Sequence, residues 1–411
     1  ALLFAVEVFT HAHTHHAPDE HVHQHRLTPF VLGLGLHNLA DGFALGIAAI
    51  GFIGGVFMDP SAEMVAKDQN ITYPIVPTTT ASDITPAATP SDPTGQTVGN
   101  GQMTISKSRK IQIRWSGEEQ ASISKIYDRV KQDQLAQGFR TLVNEIEADL
   151  AIAAKQSASR AYGTAGTTPF GTANDLSDVA QLRQILVDNG AWTDDMHFVL
   201  NTLAGTNIRS KQTNLFKVNE AGSAELLREG NLGRLEGFDF HESSQILKHT
   251  KGTGANYLVD LTAGYVAGSK TIHIDTGTGT ILPGDILTNT KTARDSNKYV
   301  VKTGFAGDGD GDIVLANPGN RVAWVNNDPV AVGNDYTGNY AFERNAIHLL
   351  TRLPKLPKEG DLGEHEVITD PYSGMSFLLS VYPGYHLVII ELAIAWGVKG
   401  VKGEAIATLL G

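Results

Sequence analysis

Cysteine is absent from all 411 residues. That excludes a disulfide framework, thiolate zinc sites, iron–sulfur clusters and a cysteine nucleophile. Charge is sparse at 18%, and 44 Asp and Glu outnumber 32 Lys and Arg, giving −12 with histidine neutral. A chain of that sign does not wrap nucleic acid over its whole surface, because phosphate attraction needs a basic face. There is no phosphate-binding loop, no G-x-S-x-G elbow and no metal-binding histidine pair on a credible helix. The sequence therefore offers no catalytic residue and calls for no cofactor. The 43 Gly and 16 Pro are spread over ordinary loops, which excludes collagen-like and wholly disordered readings. What is present is a chain 41% hydrophobic and long enough for two or three domains of roughly 150 residues.

The N-terminal stretch differs from the rest. Seven of the 15 histidines, His11, His13, His15, His16, His21, His23 and His25, crowd together ahead of an almost wholly apolar run from Leu27 to Phe57. That run is long enough to cross a bilayer as a helix, which needs about 20 residues. His37, Asn38 and Asp41 interrupt it, and steps of three and four put them on one helical face. Such a face is a divalent-metal half-site; no metal site is assigned, and these three residues are its candidates.

The string HNLADGFALG, from His37 to Gly46, resembles the fourth transmembrane helix of the ZIP metal transporters, where a His-rich loop also precedes the helix. The resemblance would make His37, Asn38 and Asp41 metal ligands. The family's next helix, with its HE-x-x-H pattern, has no counterpart here, and a lone helix forms no transport path. Three readings stay open for this stretch: an arm that packs against neighbours, a piece of a membrane metal-ion transporter, and a segment foreign to the rest of the chain. The arm is the expectation taken forward.

From Asp68 to Ser106 there is no Lys or Arg, and Pro74, Pro77, Pro86, Pro90 and Pro93 fall among Thr, Ser, Ala, Asp and Gly. Proline removes backbone donors, so this reads as an extended excursion that closes into a hairpin near Gly95 to Gly101. Met103 to Trp115 alternates as a half-exposed strand would. Its basic residues Lys107, Arg109, Lys110 and Arg114 read as a solvated edge or, more sharply, as a contact for DNA or for an acidic neighbouring subunit. Ser116 caps a short helix expected to reach about Gln132, and a longer one is expected from Gln134 to about Arg160. The longer helix carries an apolar stripe of Leu135, Phe139, Leu142, Val143, Ile146 and Leu150.

Beyond it the pattern predicts a loop over 161–174, a helix over 175–189, a strand at 198–201 and a short helix over 221–229. From Gly252 to Gly333 short β runs separated by turn residues predict a small barrel or sandwich inserted into the chain. Asp308, Asp310 and Asp312 imitate the start of an EF-hand loop, but Ile313 stands where its glycine is required and Gly319 where its glutamate is. A helix over Phe342–Leu350 and strands over 377–382 and 387–396 complete the expectation.

From about Gly51 to Gly411 the chain resembles the tailed-phage major capsid proteins, in the coat-protein branch of short-tailed Salmonella phages. The segments that carry this are GFIGGVFMDPSAEMVAKDQNITYPIVP, SDITPAATPSD, MTISKSRKIQIRWSGEEQ, GTGTILPGDILT, KYVV, NPGNRVAW, YTGNYAFERNAIHLLTRLPKLP, DPYSGMSFLLSVYPGY and AWGVKGVKGE, in that order. The resemblance implies an α+β Hong Kong 97-like capsid fold with N-arm, E-loop, spine helix, peripheral and axial domains and an inserted β-barrel. It divides the chain into an arm over 1–57, an extended segment and E-loop over 58–115, and a spine helix and peripheral domain over 116–175. A first axial part then covers 176–251, the barrel 252–333 and a second axial and peripheral part 334–411. It also implies hexamers and pentamers in an icosahedral shell, portal and scaffolding partners, and enclosed double-stranded DNA without sequence-specific contact. It implies no membrane, and assembly in the bacterial cytoplasm into a virion. A soluble ligand-binding protein is the remaining alternative.

Overall fold

The computed structural model describes residues 51–411 except 76–80, 82, 85, 87–98, 124–125, 213–231, 292–294, 359 and 371–372. These residues fall in one compact unit. The expectations for residues 1–50, for the hairpin turn before Gly99 and for a helix over 221–229 lie outside the described residues.

In chain order, β1 (Phe57–Val65), β2 (Asn70–Ile75), β3 (Gly99–Thr104) and β4 (Lys107–Ser116) lead into α1 (Gly117–Ser122) and α2 (Tyr127–Ser157). Next come β5 (Arg160–Gly163), α3 (Ser177–Asp188), β6 (Met196–Leu200), α4 (Thr202–Lys211), β7 (Arg234–Leu235) and β8 (Phe238–Glu242). Six short strands follow: β9 (Tyr257–Val259), β10 (Thr271–Gly277), β11 (Ile286–Asn289), β12 (Lys298–Thr303), β13 (Gly309–Leu315) and β14 (Pro329–Val332). The chain ends with β15 (Gly338–Glu343), β16 (Ile347–Pro354), β17 (Glu364–Thr369), β18 (Ser376–Gly384), β19 (Leu387–Gly400) and β20 (Ile406–Leu410).

The 31 residues of α2 make a rod about 46 Å long. Its expected stripe is buried, from Leu135 through Phe139, Leu142, Val143, Ile146 and Leu150 to Ala154. Its ends differ from expectation. The junction with α1 lies before Tyr127 rather than near Gln132, so the first turns of α2 precede its apolar stripe. They are anchored instead by Tyr127, edge-on to Trp115 at 5.3 Å. The C-terminus comes at Ser157, since Ser159 donates its N–H to Ile406 and Arg160 already pairs in a sheet.

This helix lies against a six-stranded sheet centred on β19, with Phe139 edge-on to Phe377 at 5.0 Å. β4 runs along one edge of β19 for ten residues; β18 and then β16 occupy the other edge. β17 flanks β18, and β1 joins β16 in parallel. The hairpin β2–β3 is a separate two-stranded sheet. Ile71 and Tyr73 of that hairpin pack on Val65, Met103, Ile105, Leu350 and Ala395. Gly99 to Gly101, read from sequence as part of the hairpin turn, belong to β3 and pair with β2. The expected single strand over 103–115 is broken at Ile105 and Ser106, dividing β3 from β4.

The inserted segment is a closed ring. β11, β14, β9, β10, β13 and β12 pair in that order, and β12 returns to β11. Val259, Ile272, Ile274, Leu287, Val301, Ile313 and Trp324 fill its core. The ring is fused to a second sheet, β5-β20-β15-β6-β8-β7, through the pairing of β12 with β5. β5 lies where a loop over 161–174 was expected. α3 and α4 cover that second sheet around Phe198, Phe238 and Leu409.

One expectation fails outright: Phe342–Leu350 is not helical. Phe342 closes β15, three residues form a 3₁₀ turn at Arg344–Ala346, and Ile347 opens β16. Ala341, Phe342, Ile347 and Leu349 are all buried between neighbouring strands, and an apolar run buried on both faces has no period to separate strand from helix. The class is α+β.

Candidate functional site

The four basic residues of β4 divide between its two faces, because strand side chains alternate. On the face toward α2, Lys107 Nζ donates to Asp149 Oδ1 at 2.7 Å and Arg109 Nε lies 3.3 Å from Glu145. Trp115 Nε1 donates to Gln134 there at 3.1 Å, and Trp396 Nε1 donates to Asp149 at 2.8 Å. On the opposite face, Lys110 Nζ and Gln112 Nε2 both donate to Glu391 Oε2, at 2.9 and 2.6 Å. Arg114 stands near Glu119, whose carboxyl is held low chiefly by hydrogen bonds from Ser116. Three of the four thus meet carboxylates of their own chain. The side chains of Arg109 and Lys110 remain 56% and 55% exposed, so each can still meet a neighbour.

Two buried constellations join distant elements, and no sequence motif announces either. Glu147, on α2, accepts backbone N–H groups of Phe52 and Ile53 and the Ser243 hydroxyl within 3.0 Å. Burial pushes its carboxyl up while these bonds pull it down. A Cβ on Gly51 would stand 2.6 Å from that of Ser243, so only glycine lets the chain pass here. The second constellation sits at the stem of the barrel, where the chain enters and leaves through the bridge His249–Tyr336. His249 Nε2 lies 2.8 Å from Asp285 Oδ1, and Lys155 Nζ of α2 lies 3.3 Å from His249 Nδ1. Asp285 also accepts from the backbone of Gly252 and Leu282.

Histidine clusters elsewhere were also invisible in the linear sequence. His197 Nδ1 faces His241 Nε2 at 3.1 Å, and His197 Nε2 lies 2.8 Å from Asp195, itself bound by Arg344 Nε at 2.6 Å. Asp195, His197 and Asp239 could present ligand atoms to one metal ion, but the Arg344 guanidinium already contacts Asp195 and His197. On the barrel, Asp260, His273 and Asp310 form a second such group. There, hydrogen bonding to Asp312 holds the His273 imidazole above its ordinary value, with Asp310 adding to the effect. The Asp308–Asp312 stretch runs into strand β13, where Asp310 and Asp312 both meet His273 across the sheet. His37, Asn38 and Asp41 lie outside the described residues.

His365 has its Nδ1 2.8 Å from Ser380 Oγ and its Nε2 2.7 Å from Asp361. The set matches a nucleophile–base–acid triad by residue type. Ser380 is fully buried, however, on the strand paired with His365, so no substrate carbonyl reaches its hydroxyl. The contact ties β17 to β18.

No protein-family model matches this chain, and no curated protein does. Solved structures are similar at low identity. The capsid of cyanophage P-SCSP1u is 9% identical over 86% of each chain with a TM-score of 0.44. The mature capsid of bacteriophage PhiM1 is 11% identical over 87% of this chain and 86% of that one, with a TM-score of 0.41. A virus-like particle from Pyrococcus furiosus is 9% identical over 91% of this chain and 98% of that one, also at 0.41.

Proposed function

We propose that the chain is the major capsid protein of a tailed phage, self-assembling into an icosahedral shell around double-stranded DNA. The observation that carries this is the unit's plan. A helix about 46 Å long braces a sheet from which a separate two-stranded hairpin extends, with a closed barrel inserted into the chain beside it. The base of that hairpin packs on Leu350 and Ala395 of its own chain, and its unpaired strand edges leave backbone groups that a second copy would cover. The capsid-like sequence segments, apart from the one over 82–92, fall along the described chain in the same order as these elements. On this reading β2–β3 is the E-loop, α2 the spine helix, β9–β14 the inserted domain, and the sheet of β6, β15 and β20 part of the axial domain. Residues 1–57 form the arm. Hexamers and pentamers, portal and scaffolding partners, and assembly in the bacterial cytoplasm belong to the same proposal.

No helix among the described residues is long and apolar enough to cross a membrane. Light scattering on the purified full chain tests the reading. Particles of megadalton mass with regular outlines by negative-stain microscopy are expected, with a scaffolding partner supplied if the chain alone stays unassembled. A chain that remains monomeric or in small oligomers under every such condition overturns it.

A further inference from the structure

Between α3, β5 and the segment leading into β12 lies a cleft of about 410 Å³. Gln181, Gln184 and Asp188 line it from α3, at steps of three and four that share one helical face. Arg160 and Lys298 line it from the paired strands β5 and β12, and Asn297 from the turn before β12.

The charges in this cleft do not balance. The Arg160 side chain is 7% exposed. Its Nη1 donates to Asn297 at 2.8 Å, its Nη2 reaches the Ile185 carbonyl and Asn189 at 3.4 Å, and its Nε has no partner. The nearest carboxylate, Asp188, makes an ion pair with Nη2 at 3.6 Å and is itself 37% exposed. Lys298 donates to the carbonyl of Gly163 and meets no carboxylate among the described residues. Arg321 adds a third cation near enough to weigh on Arg160, and donates to the Asp188 carbonyl at 3.1 Å. The other acid nearby, Asp295, is committed to Tyr299, Trp324 and Asn297. Burial holds both Arg160 and Lys298 below their ordinary values. The two lining cations therefore face one lining carboxylate, with Arg321 close by, and an anion in the cleft would recover the desolvation that Arg160 and Lys298 suffer.

We propose that this cleft binds a dianionic phosphate group, as inorganic phosphate or as the end of a small phosphate monoester. Guanidinium and ammonium are the side-chain groups that hold phosphate oxygens, and the Gln181 and Gln184 amides supply donors for the rest. The lining cations outnumber the lining carboxylate, and the three oxygens of a phosphate group engage more of these donors than the two of a carboxylate would. The proposal is independent of the shell reading.

Isothermal titration of the full chain with inorganic phosphate, with a nucleoside monophosphate and with duplex DNA tests it. One saturable site per chain is expected for the small ligands; equal affinities identify free phosphate as the ligand, and a tighter monoester identifies the ester. Lys298→Gln should weaken binding about tenfold or more, equivalent to about 1.4 kcal/mol. Gln184→Glu, on the exposed side of α3, should abolish binding while leaving the thermal melt unchanged. No saturable binding, binding to duplex DNA alone, or binding undiminished in both variants overturns the proposal.

Discussion

Glu147 and Phe52 lie 95 residues apart in sequence, yet both carboxylate oxygens of Glu147 accept the Phe52 N–H, at 2.9 and 3.0 Å. The long helix thereby holds the start of the described chain, and the Phe52 ring stacks on Phe342 at 5.9 Å. Removing the acceptor leaves buried N–H groups unpaired, so Glu147→Ala should cost about 3–5 kcal/mol and Glu147→Gln about 1–3 kcal/mol. Urea unfolding of the two variants checks this. A loss under 0.5 kcal/mol for Glu147→Ala, within the usual range of surface substitutions, would show that solvent replaces the carboxylate.

The second prediction concerns pH. Burial, with His197 and Arg344 close by, lowers His241 to about 4, while Asp239 opposes the shift. The folded value lies below the unfolded one, so the unfolded chain takes up the proton first. Stability from this group is present above about pH 6.5 and is lost as pH falls toward 4, by about 2–3 kcal/mol in all. His197 shifts the same way and adds to the slope. Denaturation midpoints from pH 7 to 4.5 should fall less steeply in His241→Gln than in the parent. Parallel curves would rule the histidine pair out as the source.

The third prediction separates internal pairing from contact between copies at Lys110. Lys110 is 55% exposed but its partner Glu391 only 12%, so Lys110→Gln, which keeps a donor beside that carboxylate, should cost the subunit only about 1 kcal/mol or less. Assembly should nonetheless weaken, and Lys110→Glu with Glu391→Lys should not restore it if Lys110 meets a neighbouring copy. Full rescue by the charge swap would confine Lys110 to its own chain. Particle yield by sedimentation distinguishes the two.

The fourth prediction is that residues 249–336 fold alone. The ring of six strands closes on itself, has its own core, and is clasped at the stem by the bridge His249–Tyr336. A domain of that size is just large enough for a core. The excised segment should melt cooperatively and give dispersed amide resonances. Collapsed resonances would mean that β5 is needed to hold β12 in the ring.

Replacing all seven histidines from His11 to His25 with Gln should leave particle assembly unchanged, as expected of an arm without a metal requirement. Assembly that needs zinc and fails in this variant would restore the metal reading.

Much of the architecture was legible because local chemistry and burial agree. The stripe from Leu135 to Leu150 could bury only as a helix, and Ser116 with Glu119 forms the capping box that starts α1. The turn-punctuated runs from Tyr257 to Leu315 became five of the six barrel strands. Phe342–Leu350 was misread because both of its faces are covered, which erases the period.

The sequence by itself determined the sign of the charge, the absence of thiol chemistry, the long helix and the inserted β domain, since each follows from residue type or spacing between neighbours. Only the tertiary structure decided which charges meet. The contacts of Glu147 with Phe52, His249 with Asp285, Lys110 with Glu391, and the crowding of Arg160, Lys298 and Arg321 join residues tens to hundreds of positions apart. Burial and distance set the strength of such contacts, and neither is fixed until the chain has packed.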